Sequence, residues 1–270
     1  MLNVAVARAL ALLVGLAPVV ANAADPAPAA LSAQELADDL STLLQDGTSL
    51  VRLRLEVQRP PGTTQSALQL QIKSRRTKTG SELVYHVLWP KERKGEAVLL
   101  RKAAGRPPTG SVFVPPDTVR ALEAAQMKES LFGSDLSYED VIENFFAWEH
   151  QAIVGTETVN RVSCQILESK PGRGERSMYA SVRTWVDTRR LVPLRVVKFA
   201  PSGQLARRIE TTRVVTDDQR RHIPANLMVY GSRKDSVTDL DGSRIKHDVT
   251  FADREFTPAG LKEVTSARPE

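Results

Sequence analysis

Apolar and polar side chains alternate along much of the chain, and this period-two pattern predicts antiparallel strands with one buried face. In the first run, residues 51–57, every second side chain is Val or Leu and the others are Arg or Glu. A Pro-Pro-Gly turn separates it from residues 68–72, where Leu and Ile alternate with Gln. Similar runs at hairpin-length spacing continue to residue 215, and together they predict about ten strands. A sheet of that width must curl.

The first helix is predicted over residues 32–45. Ser32 and Glu35 have the spacing of a capping box. The leucines at positions 36, 40, 43 and 44 fall on one helical face. A single apolar stripe indicates a helix that lies on another apolar surface.

Shorter helices are expected near residues 137–146 and over 257–264, where Thr257 precedes Pro258 at the first helical position. Residues 117–128 also have a helical composition, although their apolar stripe is weak. We expect the helices at 32–45, 137–146 and 257–264 to plug or line the concave side of the sheet.

One more turn is predicted late in the chain. Asp241-Gly242 stands between two strand-like runs, and an Asp-Gly pair in that setting is typical of a tight β-hairpin.

The N-terminus predicts export. Residues 1–23 have the pattern of a cleaved signal peptide, with Arg8, an apolar run and the small-x-small sequence Ala21-Asn22-Ala23. Residues 24–30 are expected to be a disordered leader, and residues 31–266 a single domain. No Cys follows the apolar run, so a soluble periplasmic protein is predicted rather than a lipoprotein.

Charge and cysteine content narrow the partner classes. The chain has 37 Lys plus Arg against 32 Asp plus Glu. Export argues against nucleic acid as a partner, and sparse aromatic residues give no stacking platform. The basic side chains would protect sheet edges from pairing, or attract the chain weakly to an anionic membrane. The single cysteine, Cys164, excludes an intramolecular disulfide and fits a buried strand position.

No catalytic group is predicted. The sequences around Ser134 and Ser232 lack the second glycine of a nucleophile elbow. The four histidines have no spacing typical of a metal site, and no cofactor-binding loop is present. We therefore expect a protein that is not an enzyme and has no metal or cofactor.

The segment 131–141 concentrates special residues. Gly133 tolerates a positive φ that a side chain disfavours. Ser137 and Asp140 have the spacing of a helix N-cap, before the apolar Val141. We predict a kinked loop that opens a short helix and serves as a lid; its candidate residues are Phe132, Gly133, Ser134, Asp135, Ser137, Tyr138 and Asp140.

This segment resembles the Gly-Ser-Asp-Leu/Phe-Ser-Tyr-Glu-Asp motif of the LolA-like family of outer-membrane lipoprotein-sorting proteins. Weaker matches continue in the family's order through most of residues 85–264; they include Gly155-Thr156-Glu157, Trp185-Val186-Asp187, Pro193-Leu194-Arg195, Ser202-Gly203-Gln204-Leu205 and Phe256-Thr257-Pro258-Ala259-Gly260-Leu261. The resemblance implies a mainly β fold with a few helices: a curved antiparallel sheet forming a half-open barrel with a helical lid and an apolar cavity.

The resemblance also implies a function. A monomeric periplasmic carrier would bind the acyl chains of a lipoprotein or lipid and pass them toward the outer membrane, between an inner-membrane transporter and an outer-membrane acceptor. The candidate cavity-lining residues are Leu53, Leu55, Leu70, Ile72, Tyr85, Val87 and Trp89. Alternation reports burial alone, so these side chains would equally suit a filled core.

Two alternatives stay open at this stage. A binding module of the same fold would sense lipids or envelope proteins and signal to a membrane partner. A hydrolase is the other class, although no residues for it are evident in the sequence.

Overall fold

The protein is described here from a computed structural model, over residues 31–44, 47–116, 118–231, 233 and 235–263. The predicted signal peptide 1–23, the leader 24–30 and the last three residues of the predicted domain 31–266 lie outside these ranges. The single-domain assignment therefore stays a prediction.

Within the described residues, thirteen strands form one antiparallel sheet. The strands are β1 (Thr48–Gln58), β2 (Thr64–Thr77), β3 (Gly80–Trp89), β4 (Ala97–Ala103), β5 (Thr109–Val114), β6 (Thr118–Leu122), β7 (His150–Val159), β8 (Val162–Lys170), β9 (Ser181–Asp187), β10 (Val192–Phe199), β11 (Leu205–Thr216), β12 (His222–Tyr230) and β13 (Val237–His247).

The sheet consists of two meanders joined edge to edge. Its strand order is β6-β5-β4-β3-β2-β1-β13-β12-β11-β10-β9-β8-β7, so β1 pairs with β13 and the two meanders share that seam. Strands β6 and β7 are the outer edges of this order, and the curved sheet stays unclosed. The predicted curled antiparallel meander, half-open rather than closed, is confirmed.

The helices are few and short. They are α1 (Ala33–Leu44) and α2 (Tyr138–Ile142), together with 3₁₀ turns at Ala124–Lys128, Leu131–Gly133, Phe145–Ala147, Asp253–Phe256 and Ala259–Lys262. The capping box predicted for α1 is present, because the Ser32 hydroxyl accepts from the Glu35 N–H (3.2 Å) and the Glu35 carboxylate accepts from the Ser32 N–H (2.9 Å). No helix among the described residues is long and apolar enough to cross a membrane.

Strand register assigns every side chain to one of two faces. Lys198 pairs with Arg207, Val229 with Thr238, and Thr238 with Val57, so these residues share one face across the seam. The same face continues through β2, β3, β4 and β5. Both α1 and α2 pack on it, as expected, and we call it the inner face.

The last described segment packs on the opposite, outer face, which corrects one expectation. Phe256 and Leu261 are fully buried against Val84 and Leu99, whose side chains alternate away from the inner face. In place of the predicted helix at 257–264 there is a single 3₁₀ turn, Ala259–Lys262, which lies outside the sheet and does not line the concave side. The predicted cap does form, because the Thr257 hydroxyl accepts from the Gly260 N–H (3.1 Å).

Two other local predictions were wrong. Residues 118–122 form the edge strand β6, and only Ala124–Lys128 has helical turns. Asp241 and Gly242 lie inside the continuous strand β13. A Cβ on Gly242 would stand 3.0 Å from the carbonyl oxygen of Ala225 in β12, so this glycine permits a close strand approach.

Candidate ligand-binding face

One connection crosses the inner face from one edge of the sheet to the other. Residues 123–149 leave the edge strand β6 and enter the edge strand β7, and they carry α2 and three 3₁₀ turns. We call residues 123–149 the crossing segment. Most connections between secondary-structure elements are shorter than this one, and long connections are often functional.

The crossing segment covers a large apolar cluster on the first meander. Its sheet side consists of inner-face residues of β1 to β6, and its lid side includes Met127, Leu131, Tyr138 and Ile142. Each of these four side chains is at least nine-tenths buried. We call this group the inner cluster, and it lines the inner face of the first meander.

Six of the seven predicted lining residues lie in or against the inner cluster. Leu55, Leu70, Tyr85 and Val87 are buried in it, and Leu53 and Ile72 pack against it. Burial raises the pKa of Tyr85 to about 12. Their role as ligand contacts stays a prediction.

The seventh predicted residue, Trp89, is 52% exposed and lies outside the cluster. A register shift between Gln69 and Leu70 pairs Trp89 with the exposed Gln69, and this turns the indole off the inner face. The correction has a local cause, since a β-bulge reverses the alternation that the sequence pattern assumes.

The first part of the crossing segment, residues 123–133, is held by packing. We call it the packed arm. Met127 and Leu131 are buried in the inner cluster, and Phe132 packs against it. Within the described residues, no side chain of the packed arm makes a hydrogen bond or ion pair to the sheet.

The second part, residues 134–149, is held by buried polar contacts, and we call it the anchored arm. Asp135 is 3% exposed and attaches the arm to β13. Its carboxylate accepts hydrogen bonds from Ser236 (2.9 Å) and Thr238 (2.8 Å), and its N–H donates to the Thr238 hydroxyl (2.9 Å). All three residues are buried, so each of these bonds is shielded from water.

Asp140 attaches the same arm to β10 and β11. Its fully buried carboxylate accepts from Lys198 Nζ (2.8 Å), Arg207 Nε (2.6 Å) and the Tyr179 hydroxyl (2.6 Å). Burial alone would raise the pKa of Asp140, but the charges of Lys198 and Arg207 outweigh burial and hold it well below its usual range. Burial, reinforced by Asp140, raises the pKa of Tyr179.

The same carboxylate also closes the cap of α2. The N–H and hydroxyl of Ser137 both donate to Asp140 (2.8 Å each), and the Ser137 hydroxyl accepts from the Asp140 N–H (3.2 Å). The predicted Ser137 cap is therefore confirmed. Asp140 has a second role that the cap spacing did not indicate, because it is also the buried counter-ion of two strand cations.

Three further residues of the anchored arm make polar contacts. The Glu139 carboxylate accepts from the Ser177 hydroxyl (2.6 Å) and the Met178 N–H (2.8 Å). Glu143 lies 3.2 Å from the ammonium group of Lys102 on β4. The Asn144 amide donates to Ser41 of α1 (2.9 Å).

The turn between the two arms is strained. Phe132 and Gly133 have φ angles of 52° and 83°, in the left-handed region. The predicted positive φ of Gly133 is confirmed, and a Cβ built there would meet no atom within 4 Å. Backbone conformation alone therefore selects glycine at this position.

Sequence reasoning assigned Asp135 and Asp140 to turn and cap roles and missed their partners. Those partners are 39 to 103 residues away in the chain. One signal was available: Lys198 lies within the otherwise apolar run Val196-Val197-Lys198-Phe199. A lysine at such a position is rarely fully buried unless it is paired.

One group of side chains has the composition of a metal site. Ligand atoms of Asp217, Asp218 and His247 lie within 4.8 Å of one another. The guanidinium of Arg221 already lies 2.9 Å from the Asp217 carboxylate and 2.7 Å from the His247 ring. The chain itself therefore supplies the cation of this group.

Comparisons with known proteins place the chain in a family. A model of a protein family described as "-like: Uncharacterized protein" matches residues 81–263, more than half of the chain. The chain belongs to this family. A comparison with curated proteins finds no match.

Solved structures share the fold. A DUF1329 family protein from Desulfovibrio piger ATCC 29098 is 22% identical, with a TM-score of 0.78 over 85% of this chain and 97% of that one. A domain from Vibrio parahaemolyticus, named as a candidate outer membrane lipoprotein-sorting protein, is 17% identical, with a TM-score of 0.76 over 86% and 98%.

A LolA superfamily protein from Nitrosomonas europaea is 19% identical, with a TM-score of 0.66 over 84% of this chain and 98% of that one. The curved, unclosed sheet crossed by a helical segment is therefore a LolA-like fold. The resemblance drawn from residues 131–141 is confirmed at the level of the fold.

Proposed function

We propose that the protein is a periplasmic carrier that binds the acyl chains of a lipoprotein or lipid between the packed arm and the inner cluster. The observation that supports this most is the difference between the two arms. The packed arm covers the inner cluster without a polar side-chain bond to the sheet, among the described residues. In the anchored arm, the carboxylates of Asp135 and Asp140 alone accept five buried hydrogen bonds from outside the arm.

This difference between the arms indicates where an acyl chain would enter the protein. If the packed arm moved off the sheet, it would expose only apolar surface of β1 to β6. An acyl chain inserted there would replace protein–protein contacts with protein–ligand contacts of the same kind. Each CH₂ group removed from water contributes about 0.8 kcal/mol, so a long chain offsets the separation of the arm.

The proposed ligand contacts are the six predicted residues of the inner cluster, from Leu53 to Val87, together with Phe132. The lid residues divide into two groups. Phe132 and Gly133 belong to the turn that would move, and Ser134, Asp135, Ser137, Tyr138 and Asp140 belong to the arm that would stay in place. The activity needs no catalytic step.

Native mass spectrometry of the mature protein tests the proposal. After incubation with palmitic acid and with a diacylated lipopeptide, we expect a mass increase that matches one bound ligand. In Phe132→Ser, less ligand should be retained, because a side chain against the inner cluster is lost. Leu205→Ser is the matched control, since Leu205 is 49% exposed. No bound acyl species in any variant would refute the proposal.

Delivery needs a separate experiment. A carrier should move a labelled lipopeptide from inner-membrane vesicles to outer-membrane acceptor vesicles, between a transporter and an acceptor. A sensor of the same fold would bind the lipopeptide without transferring it. Binding without transfer would refute delivery and keep acyl binding.

A further inference from the structure

A pocket of about 430 Å³ opens beside the turn of the crossing segment. It lies between Val57 and Arg59 at the end of β1 and Phe132 and Gly133 at the turn. Val57 belongs to the inner cluster and Phe132 packs against it, so the pocket adjoins the proposed acyl site. Its volume falls within the range of small-molecule sites, about 300–1,000 Å³.

Three arginines line this pocket: Arg59, Arg93 and Arg233. Arg93 is paired with Glu96 through two hydrogen bonds (2.8 and 2.6 Å), so its charge is already balanced. Within the described residues, Arg59 and Arg233 have no carboxylate partner, and no acidic residue lines the pocket. The lining therefore has an excess of positive charge.

Arg59 also carries an unused hydrogen-bond donor. Its Nε is buried and has no hydrogen-bond partner in the described part of the chain. Among the described residues, the Arg59 side chain makes a single hydrogen bond, a long one of 3.5 Å from Nη2 to the Ser236 hydroxyl. A buried donor without a partner is unfavourable, and an anion in the pocket would satisfy it.

A second pocket provides a contrast. It has a volume of about 150 Å³ and is lined by Lys102, Glu143 and Glu175 among others. Lys102 is paired with both carboxylates, at 3.2 and 2.5 Å, and with Lys78 the lining has two cations for two carboxylates. An excess of positive charge in the lining therefore distinguishes the arginine pocket from this one.

We propose that the arginine pocket binds the phosphate or a similar anionic headgroup of a lipid whose acyl chains lie against the inner cluster. This inference rests on the proposed function and adds a ligand class to it. Guanidinium groups match the geometry of phosphate oxygens and bind them through paired hydrogen bonds. The headgroup would sit at Arg59 and Arg233, and the chains would pass Phe132 beneath the packed arm.

Isothermal titration calorimetry with three probes tests this inference: dioctanoylphosphatidic acid, dioctanoylglycerol and inorganic phosphate. The two lipids have the same acyl chains and differ in the phosphate. We expect the wild-type protein to bind the phosphatidic acid about tenfold tighter than the neutral lipid, as for one charge-assisted contact. Inorganic phosphate should bind far more weakly, since it lacks the apolar contacts.

The variants are Arg59→Gln/Arg233→Gln and, as a charge-matched control, Arg106→Gln in the exposed loop between β4 and β5. The double variant should lose the preference for phosphatidic acid and keep its affinity for dioctanoylglycerol, and the control should match the wild type. If the double variant does not fold, the exposed Arg233→Gln alone should still reduce the preference.

The outcomes separate the two proposals. Equal affinity of the wild type for both lipids, or an unchanged preference in the double variant, would overturn the headgroup site and leave the carrier in place. Inorganic phosphate binding as tightly as the phosphatidic acid would identify a free-anion site instead. Failure of both lipids to bind would overturn the carrier function and the headgroup site with it.

Discussion

The two arms of the crossing segment cover the same face of one sheet, but different forces hold them. The packed arm, residues 123–133, lies on apolar side chains of β1 to β6. The anchored arm, residues 134–149, is bonded to β13, β10 and β11 through buried Asp135 and Asp140. Apolar contacts are non-directional and can be exchanged for a ligand, whereas a buried ion pair cannot be opened without a large cost. We therefore expect the packed arm to move when a ligand binds and the anchored arm to stay in place.

The largest expected effect comes from removing the central anion of the anchored arm. Asp140→Asn leaves Lys198 and Arg207 buried without a counter-charge, and breaking such a pair costs about 3–5 kcal/mol of unfolding free energy. Urea denaturation measures this loss. Asp253→Asn is the matched control, because Asp253 is 94% exposed and pairs with Arg75 at the surface.

Acid titration adds a second readout for this variant. The pKa of Asp140 is lower in the folded protein than in the unfolded chain, so its contribution is complete above the unfolded value of about 3.9. That contribution is lost as the pH falls below 4. Asp140→Asn should lack this acid-dependent loss, and an identical acid profile in the variant and the wild type would contradict the role of the carboxylate.

Shortening a buried side chain of the packed arm should lower the free energy of unfolding less than Asp140→Asn does. Leu131→Ala removes a buried side chain from the inner cluster, and such changes cost about 2–5 kcal/mol. We expect the lower end of that range, because an arm without polar side-chain bonds to the sheet can move to fill the space. The control is Val154→Ala on β7, which is 46% exposed. A loss equal to that of Asp140→Asn would mean that the packed arm is as firmly fixed as the anchored arm.

A third change tests the contact between the anchored arm and β13. Thr238→Val keeps the volume and removes a buried hydroxyl that bonds Asp135, for an expected loss of about 1–3 kcal/mol in chemical denaturation. Thr212→Val, at an exposed position on β11, should be nearly neutral. If both variants unfold at the same denaturant concentration, the Asp135 contacts do not hold the arm.

Sequence patterns predicted the structural features that depend on residues close together in the chain. The alternation in β1 to β3, the capping box of α1, the Ser137 cap and the positive φ of Gly133 are all local. Local reasoning failed where a distant strand decides the geometry. The sequence around Gly242 is typical of a turn. In the structure, glycine is required there because the strand comes close to Ala225 in β12.

The same dependence on distant strands explains which features of the candidate site the sequence did not predict. Trp89 left the inner face because a bulge shifted the register of β3 against β2, and no residue near Trp89 indicates a bulge. The cationic partners of Asp140 lie on strands that follow it by more than 50 residues. Only the position of Lys198 in an apolar strand suggested that a buried acid must exist elsewhere.

The smallest expected stability effect is at the turn between the arms. Gly133→Val places a branched side chain at a φ of 83°, which costs about 1–2 kcal/mol, although its Cβ would meet no atom within 4 Å. We expect this variant to lose retained acyl ligand to a greater extent than it loses stability, as measured by native mass spectrometry beside thermal unfolding. Retention equal to that of the wild type would make the turn purely structural.

Hydrogen–deuterium exchange tests the difference between the arms most directly. Peptides covering residues 123–133 and 134–143 are followed in the free protein and in the protein saturated with dioctanoylphosphatidic acid. The account predicts a change in exchange on ligand binding in 123–133 and almost none in 134–143, because only the packed arm moves to admit the chains. Equal changes in both peptides, or a change confined to 134–143, would contradict it.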